Sequence, residues 1–182
     1  MLRIPDSVRT ARLRGELPGR QHLDGWLALM SHPDLVPWMW PGHLGGARTR
    51  EQVLERIALD RANREAHGFS PWAVVLPETG ETIGRVGCSP AVLDGEDVVD
   101  LGWMLHPHHW RRGYTAEIAR EAVRVAFDEL GIPELVAYTL TGNHASQGVM
   151  RRLGMEFDRE TEHAGLPHVV YRLRSTGPTR RT

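Results

Sequence analysis

Apolar and polar residues alternate in several short stretches, and this alternation predicts β-strands. From Thr10 to Leu17, for example, Ala11, Leu13, Gly15 and Leu17 alternate with polar residues. The predicted strands are 10–17, 71–76, 82–88, 98–105, 135–140 and 169–173. The pattern near 155–159 is compatible with a further strand. The Pro77-Glu78-Thr79-Gly80 segment predicts a hairpin turn between two of them, so those two strands should be antiparallel.

Apolar residues spaced three or four positions apart predict four helices. These cover residues 22–30, 49–66, 113–130 and 145–153. Thr49 and Gln52 have the spacing of a capping box at the start of the second helix. The segment 33–46 is rich in Pro, Gly and Trp and is expected to be irregular.

The order of these elements predicts a mixed α/β fold in one domain. The unit from Val98 to Leu140 is strand-helix-strand, so its two strands should be parallel with a right-handed crossover. With the antiparallel hairpin before it, this unit predicts a mixed sheet with helices on both faces. The chain of 182 residues is a suitable length for a single domain.

Composition narrows the class of protein further. The formal net charge is −1, which argues against a nucleic-acid binder that relies on bulk positive charge. No apolar run approaches membrane-spanning length, so no membrane partner is expected. Cys88 is the one cysteine, which excludes an intramolecular disulfide and favours a reducing, cytoplasmic location. We interpret Cys88 as a small strand residue rather than a nucleophile.

The segment that follows the strand 98–105 carries candidate chemistry. It continues through His106-Pro107-His108-His109 into Trp110-Arg111-Arg112-Gly113-Tyr114-Thr115, where a helix is predicted to begin. Free N–H groups and the dipole at a helix N-terminus favour an anion, and Gly113 lets the backbone approach a phosphate. Taken alone, the turn is also compatible with a solvated basic corner. Neither the P-loop pattern nor the three glycines of the dinucleotide-binding fingerprint are present.

Two motifs resemble those of the GNAT family, the GCN5-related N-acetyltransferases. Trp103-Met104-Leu105-His106-Pro107 followed by residues 110–115 resembles motif A, Arg/Gln-x-x-Gly-x-Gly/Ala after a strand. In this alignment Trp110 takes the Arg/Gln place and Thr115 the place of the second small residue. Asn143-His144-Ala145-Ser146 and the later Leu153-Gly154-Met155 resemble motif B, and Thr10 to Arg14 looks like the first strand of the RimJ/RimL-like subgroup. The resemblance implies one N-acetyltransferase domain over residues 8–174, with a disordered tail at 175–182.

The resemblance also implies a coenzyme site that holds acetyl-CoA as co-substrate, with no metal. Its pantetheine arm would pair with the backbone of Met104 and Leu105 in a gap between splayed parallel strands. Asn143 would bond the pantetheine amide, although a plain helix N-cap is the alternative for this residue. The pyrophosphate would be held at the turn, by Trp110 and the backbone amides of Arg111, Arg112, Gly113, Tyr114 and Thr115.

The implied reaction is direct attack of an amine on the thioester, with an N–H near Leu105 stabilising the oxyanion. Many relatives use a tyrosine as the acid, but Met150 stands at that place, and Ser146 takes the position used in the ribosomal-protein subgroup. Asp100 and His163 are the candidate bases. Each of these three has an ordinary structural alternative: a first-turn serine, a solvated strand residue and a surface histidine.

The acceptor side is indicated by an aromatic loop. Trp38, Trp40 and His43 lie among prolines and glycines and are candidate acceptor-binding residues, whereas Trp72 is expected in the core. The acceptor would be a small-molecule amine or a protein N-terminus, and relatives suggest a homodimer. A non-catalytic acyl-CoA sensor of the same fold is the alternative function, because Met150 cannot donate a proton.

Overall fold

The computed structural model describes residues 2–177. Within these residues eight strands form one sheet. The strands are β1 Ser7–Arg9, β2 Arg14–Glu16, β3 Trp72–Val75, β4 Thr82–Leu93, β5 Glu96–Leu105, β6 Glu134–Leu140, β7 Glu156–His163 and β8 Leu166–Arg174. The helices are α1 Leu23–Met30, α2 Val36–Met39, α3 Arg50–His67, α4 Tyr114–Arg124 and α5 His144–Arg152. Of these, α1, α3, α4 and α5 pack on the sheet.

The sheet is mostly antiparallel, with one parallel junction near its centre. Its strand order is β1-β2-β3-β4-β5-β6-β8-β7, and among residues 2–177 only β5 and β6 are parallel. These two strands are joined at a single pair, Asp100 opposite Val136, and they separate toward their carboxyl ends. The predicted mixed fold with splayed parallel strands is therefore confirmed.

Strand alternation divides the sheet into two faces with different partners. Leu101, Trp103 and Leu105 of β5 point toward α4 and α5, where the main apolar core lies. Asp100, Gly102 and Met104 point to the other face, and Met104 packs there among residues of α1 and α3. Because β5 and β6 are paired at Asp100 and Val136 alone in the described residues, the gap beyond that pair lies between the two faces.

A buried ion pair joins α3 to the sheet. Asp60 is fully buried, and its carboxylate accepts two hydrogen bonds of 2.7 Å from the Arg85 guanidinium on β4. The bidentate geometry satisfies both carboxylate oxygens, which a buried charge requires. The same helix begins with the predicted capping box, in which Thr49 and Gln52 exchange side-chain to backbone hydrogen bonds.

Some sequence predictions were wrong in detail. Residues 10–17 do not form one strand, because the Thr10 hydroxyl and backbone bond with Leu13 and turn the chain between β1 and β2. The segment 33–46 contains α2 and a 3₁₀ turn at Gly42–Leu44 rather than irregular chain alone. The strand left open near residue 155 exists as β7, and α4 continues into a π-helical turn, Val125–Glu129.

The C-terminal segment 175–182 lies only partly within the described residues. The predicted disordered tail falls mostly on residues 178–182, which lie outside the described residues. Ser175 donates its backbone N–H to the Pro133 carbonyl at 2.9 Å, so the described part of that segment is held against the domain. Within residues 2–177 no helix has the length and apolar character needed to cross a membrane.

Candidate active site

The turn between β5 and α4 has an unusual backbone. After a 3₁₀ turn at Pro107–His109, Arg111 adopts a φ of 59° and Gly113 a φ of 78°. A positive φ is uncommon for arginine and natural for glycine, so the chain is held in a shape that a non-glycine residue seldom takes. Gly113 is the N-cap residue of α4, and the turn therefore delivers the backbone directly to the positive end of that helix.

This turn leaves a row of backbone N–H groups without acceptors. Glu117 makes the first helical hydrogen bond, to the Gly113 carbonyl at 3.1 Å. In the described part of the chain, no acceptor is within hydrogen-bonding reach of the N–H groups of residues 111–116. Six consecutive donors at a helix N-terminus form an anion site, and the exposed Arg111 and Arg112 side chains add positive charge.

Residues from the N-terminal segment hold the turn in this shape. Arg12 donates to the Arg112 carbonyl at 3.0 Å and forms an ion pair with Glu117 at 2.7 Å. Its guanidinium also lies 4.6 Å from the centre of the Tyr114 ring. Burial alone would raise the pKa of Glu117, but hydrogen bonds from Thr10 and Arg12 and the charge of Arg12 lower it overall, so this carboxylate stays ionised and paired in the first turn of α4.

The end of β5 and the start of α5 line the gap on the α4 side of the sheet. The Trp110 indole donates to the Leu105 carbonyl at 2.7 Å and ties the turn to the strand. Asn143 caps α5 by accepting from the Ser146 N–H at 3.1 Å, so the N-cap role considered from the sequence exists. The Ser146 hydroxyl accepts a 3.4 Å hydrogen bond from the indole of Trp103 on β5. Ser146 therefore faces β5 across the gap.

Met150, at the place of the family's tyrosine, is 1% exposed and belongs to the main core. Its burial among apolar side chains shows that this position is used for packing. Met150 has no proton to donate, and on the α4 side of the sheet the Ser146 hydroxyl is the one that bonds to β5 in the described residues.

Asp100 lies at the junction itself, on the opposite face. It is half-buried, and within residues 2–177 its carboxylate has no hydrogen-bond or ion-pair partner. Burial raises the pKa of Asp100 to about 7, and the positive charge of Arg85 opposes that rise. A carboxyl group with a pKa near neutrality has the property expected of a general base.

Sequence reasoning missed two residues that the structure groups with His163. Tyr138 of β6 lies with its ring 4.9 Å from that of His163, and the His168 ring is 5.4 Å from His163. Burial and the nearby charge of Asp100 raise the pKa of Tyr138, so its hydroxyl stays protonated. Because β5 and β6 pair in parallel with Asp100 opposite Val136, Tyr138 lies on the same face as Asp100. Finding Tyr138 from the sequence would have required knowledge of this exact pairing.

The aromatic loop reaches the same side of the molecule. The Nε2 atom of His43 is 3.2 Å from the Ala164 carbonyl, in the turn that follows His163. Trp40 packs against the apolar cluster that contains Met104, whereas Trp38 is 41% exposed. The structure thus brings His43 and Trp40 to the Asp100 face, and Trp38 lies at the outer surface of the loop.

Two further predictions concern residues outside this site. Trp72 is 1% exposed and belongs to the core, as predicted. Cys88 is buried, and burial raises the pKa of its thiol to about 12, which keeps it protonated. In the described residues no group of three or more His, Cys, Asp or Glu side chains is arranged to hold a metal ion.

Comparison with known proteins places this geometry in a family. The family profile described as "Acetyltransferase (GNAT) domain" matches residues 12–156. An uncharacterised Bacillus subtilis protein, YkkB, is 27% identical over 147 residues, which cover 81% of this chain and 83% of YkkB. The FsC-acetyl coenzyme A-N(2)-transacetylase of Aspergillus fumigatus is 29% identical over 161 residues, with 85% of this chain and 66% of that enzyme covered.

A solved structure of comparable identity has the same fold. The acetyltransferase from Agrobacterium tumefaciens strain C58 is 29% identical, with a TM-score of 0.78 over 96% of this chain and 97% of that one. The fold and site therefore define an acetyltransferase that takes its acyl group from acetyl-CoA, and the catalytic interpretation is supported over the non-catalytic sensor. The chain belongs to the GNAT acetyltransferase family.

Proposed function

We propose that this protein moves the acetyl group of acetyl-CoA to a primary amine by direct attack in a ternary complex, with one catalytic domain over residues 8–174. The single observation that carries this proposal is the row of free N–H groups at residues 111–116 beside a parallel strand pair joined at one position. An anion site and an open strand edge, side by side, match the two parts of coenzyme A: a charged pyrophosphate and an amide-bearing arm.

The pyrophosphate binds at the turn. The amides of Arg111, Arg112, Gly113, Tyr114 and Thr115 donate to its oxygens, and the Arg111 and Arg112 side chains add charge. Trp110 supports this arrangement through its hydrogen bond to the Leu105 carbonyl, which fixes the turn relative to the strand. Arg12 supports it from the other side.

The pantetheine arm enters the gap and takes the place of the missing ladder between β5 and β6. Backbone groups of Met104 and Leu105 bond to it as to an added strand. The Asn143 side-chain oxygen is occupied by the helix cap, which leaves its amide N–H₂ to donate to a carbonyl of the arm. In this proposal Asn143 caps α5 and also binds the arm.

Acid and base approach the reacting carbon from opposite faces of the sheet. Asp100 accepts the proton of the incoming amine, directly or through water, and His163 with Tyr138 lines the path of that proton. The N–H near Leu105 stabilises the oxyanion. Ser146, whose oxygen accepts from Trp103, gives its proton to the departing thiolate and takes one back from water.

The amine binds on the Asp100 face, under the aromatic loop. Trp40 and His43 contact it, and Trp38 lies where it contacts the outer part of a larger acceptor. A small-molecule amine or a protein N-terminus fits this description. The name of the Aspergillus relative, an acetyl coenzyme A N(2)-transacetylase, supports transfer to nitrogen.

The finer assignments rest on the sequence. Thr10 to Arg14 and the position of Ser146 favour the RimJ/RimL-like subgroup. A cytoplasmic location is proposed from the single buried cysteine, and a homodimer is proposed from the family resemblance.

Release of free thiol from acetyl-CoA, followed across a panel of primary amines, tests the proposal. We expect thiol release that depends on an added amine and a product heavier than the amine by one acetyl group in mass spectrometry. Tight acetyl-CoA binding without thiol release in the presence of any amine of the panel would contradict the proposal and favour the non-catalytic acyl-CoA sensor.

A further inference from the structure

Two half-buried arginines lie together in one cleft without an ion-pair partner. Most partly buried arginines in this chain, such as Arg85 and Arg172, contact carboxylates. Arg48 and Arg56 are also only partly exposed, yet among residues 2–177 neither has a carboxylate within 4.0 Å. Both line a cleft of about 240 Å³ between α1, the aromatic loop and α3.

The cleft holds Arg56 in an unfavourable electrostatic state. Burial and the neighbouring charges of Arg85 and Arg48 lower the pKa of Arg56. The negative charge of Asp60, which is paired with Arg85, offsets this lowering only in part. A partly desolvated cation without a counter-ion gains from a bound anion. Arg48 is already oriented, since its guanidinium lies 4.6 Å from the centre of the Trp40 ring.

The other walls of the cleft select the kind of anion. Glu55 is the one acidic residue among its lining residues, so the ionised side chains sum to one positive charge, which suits a monoanion better than a phosphate dianion. Met30, Trp40 and Leu59 supply apolar surface, and Gln52 an amide. A carboxylate attached to an apolar body fits both features.

The cleft lies on the face of the sheet where the amine is proposed to bind. Met30 and Trp40 border the apolar cluster that includes Met104, at the end of β5. Arg85, whose charge acts on Arg56, is opposite Met104 in the strand register and also acts on Asp100. The loop that begins at Trp40 continues to His43 beside the β7–β8 turn. The cleft and Asp100 therefore belong to one continuous side of the molecule.

We infer that this cleft is the specificity pocket of the acceptor and that it binds a carboxylate of the amine substrate through Arg48 and Arg56. The inference rests on the proposed function and narrows it to primary amines that carry a carboxylate and an apolar body. Trp40 and Leu59 contact that body, and Glu55 disfavours a second negative charge.

Binding of acetylated products measures carboxylate recognition without requiring turnover. N-acetylglycine, N-acetyl-leucine and N-acetyl-phenylalanine, each with its uncharged amide, are titrated by calorimetry into the protein saturated with coenzyme A. We expect at least one acid to bind about ten- to a hundredfold more tightly than its amide, the range for hydrogen bonds to charged groups. Arg56→Met should remove this preference, Arg56→Lys should restore part of it, and Glu55→Gln should strengthen acid binding.

The matched control is Arg120→Gln, which removes an exposed arginine from α4 and should leave the preference unchanged. Coenzyme A affinity and the thermal melt of each variant report whether the protein still folds. Each of four results would overturn the inference. They are equal binding of acids and amides, no binding of any acid, tighter binding of inorganic phosphate than of the acids, and an unchanged preference for the acid in folded Arg56→Met. Absence of amine-dependent thiol release would instead contradict the proposed function. Because the binding experiment needs no turnover, the two results can be told apart.

Discussion

Ser146 and Asp100 face opposite sides of the sheet at the place where β5 and β6 separate. Ser146 is reached from α5 and touches Trp103, whereas Asp100 is opposite Val136 on the other face. A proton taken from the amine and a proton given to the thiolate therefore belong to different groups. This separation makes the two residues distinguishable by experiment.

Ser146→Ala should lower kcat by about ten- to a thousandfold, because it removes the group that protonates the leaving thiolate. Affinity for acetyl-CoA should change little, since the Asn143 cap bonds the backbone N–H of residue 146 and not its hydroxyl. Steady-state kinetics with calorimetry separate the two effects. Ser146→Thr, which keeps a hydroxyl, is the control, and a kcat equal to wild type in Ser146→Ala would remove this residue from the mechanism.

Asp100 should give the reaction its pH dependence. With a pKa of about 7, its carboxyl loses its proton near neutrality, so kcat/KM should rise with pH and level off above that value. In Asp100→Asn the rise through pH 7 should disappear and kcat/KM should fall. A wild-type profile retained in Asp100→Asn would assign the rise to another group, with His163 the next candidate.

The same residue has a consequence for stability. Its pKa is higher in the folded protein than in the unfolded chain, so the folded state binds more protons between about pH 4 and pH 7. The free energy of unfolding should therefore decline as pH rises through that window. Asp100→Asn should melt at a higher temperature than wild type at pH 8, and the difference should shrink toward pH 5.

At the scale of elements, the long periodic segments could be predicted from the sequence. Helix α3 begins at its predicted capping box, and the strand-helix-strand unit from β5 to β6 is parallel as expected. The prediction of one strand over residues 10–17 was wrong. Apolar and polar residues do alternate there, but the Thr10 side chain bonds to the nearby backbone of Leu13 and turns the chain.

Tyr138 was missed because its neighbours, His163 and Asp100, come from other strands, and no local pattern reports such contacts. Arg48 and Arg56 were missed because sequence spacing does not show which arginines lack a carboxylate partner.

The Asp60–Arg85 pair sets how α3 is attached to the sheet. Asp60→Ala should destabilise the fold by about 3–5 kcal/mol, because it leaves the buried guanidinium of Arg85 without its partner. Urea denaturation at neutral pH measures the loss. The double variant Asp60→Leu/Arg85→Met, which removes both charges, should recover most of it, and a loss below about 1 kcal/mol in the single variant would contradict this account.

At the scale of the whole molecule, residues from the N-terminal and C-terminal halves of the chain surround the turn and the gap. Arg12, near the N-terminus, holds the turn at Arg112, and β6, β7 and β8 form the far side of the gap. A coenzyme bound at the turn and in the gap would contact both halves of the sheet. Binding should therefore stabilise the entire domain and not the turn alone.

Acetyl-CoA at about a hundred times its dissociation constant should add about 2.7 kcal/mol to the free energy of unfolding. For a chain of this size that corresponds to a rise in Tm of about 5–10 °C. Gly113→Glu should abolish the rise, because it places a bulky negative group at a positive φ beside the phosphates. Gly131→Glu, at another positive-φ glycine remote from the turn, is the control; an equal rise in Gly113→Glu would refute the assignment of the turn.

The single ladder pair between β5 and β6 also bears on how large a chain the gap admits. Where β4 pairs with β5 and β6 with β8, continuous backbone ladders fix the spacing of the strands. Beyond Asp100 and Val136 no such ladder joins β5 to β6 in the described residues, and side chains of the main core, such as Leu105 and Ala137, fill the space on the α4 side. Side-chain volume changes by single substitutions, whereas ladder spacing does not. The width of the gap, and with it the length of acyl chain that the enzyme accepts, is thus open to stepwise change without loss of the fold.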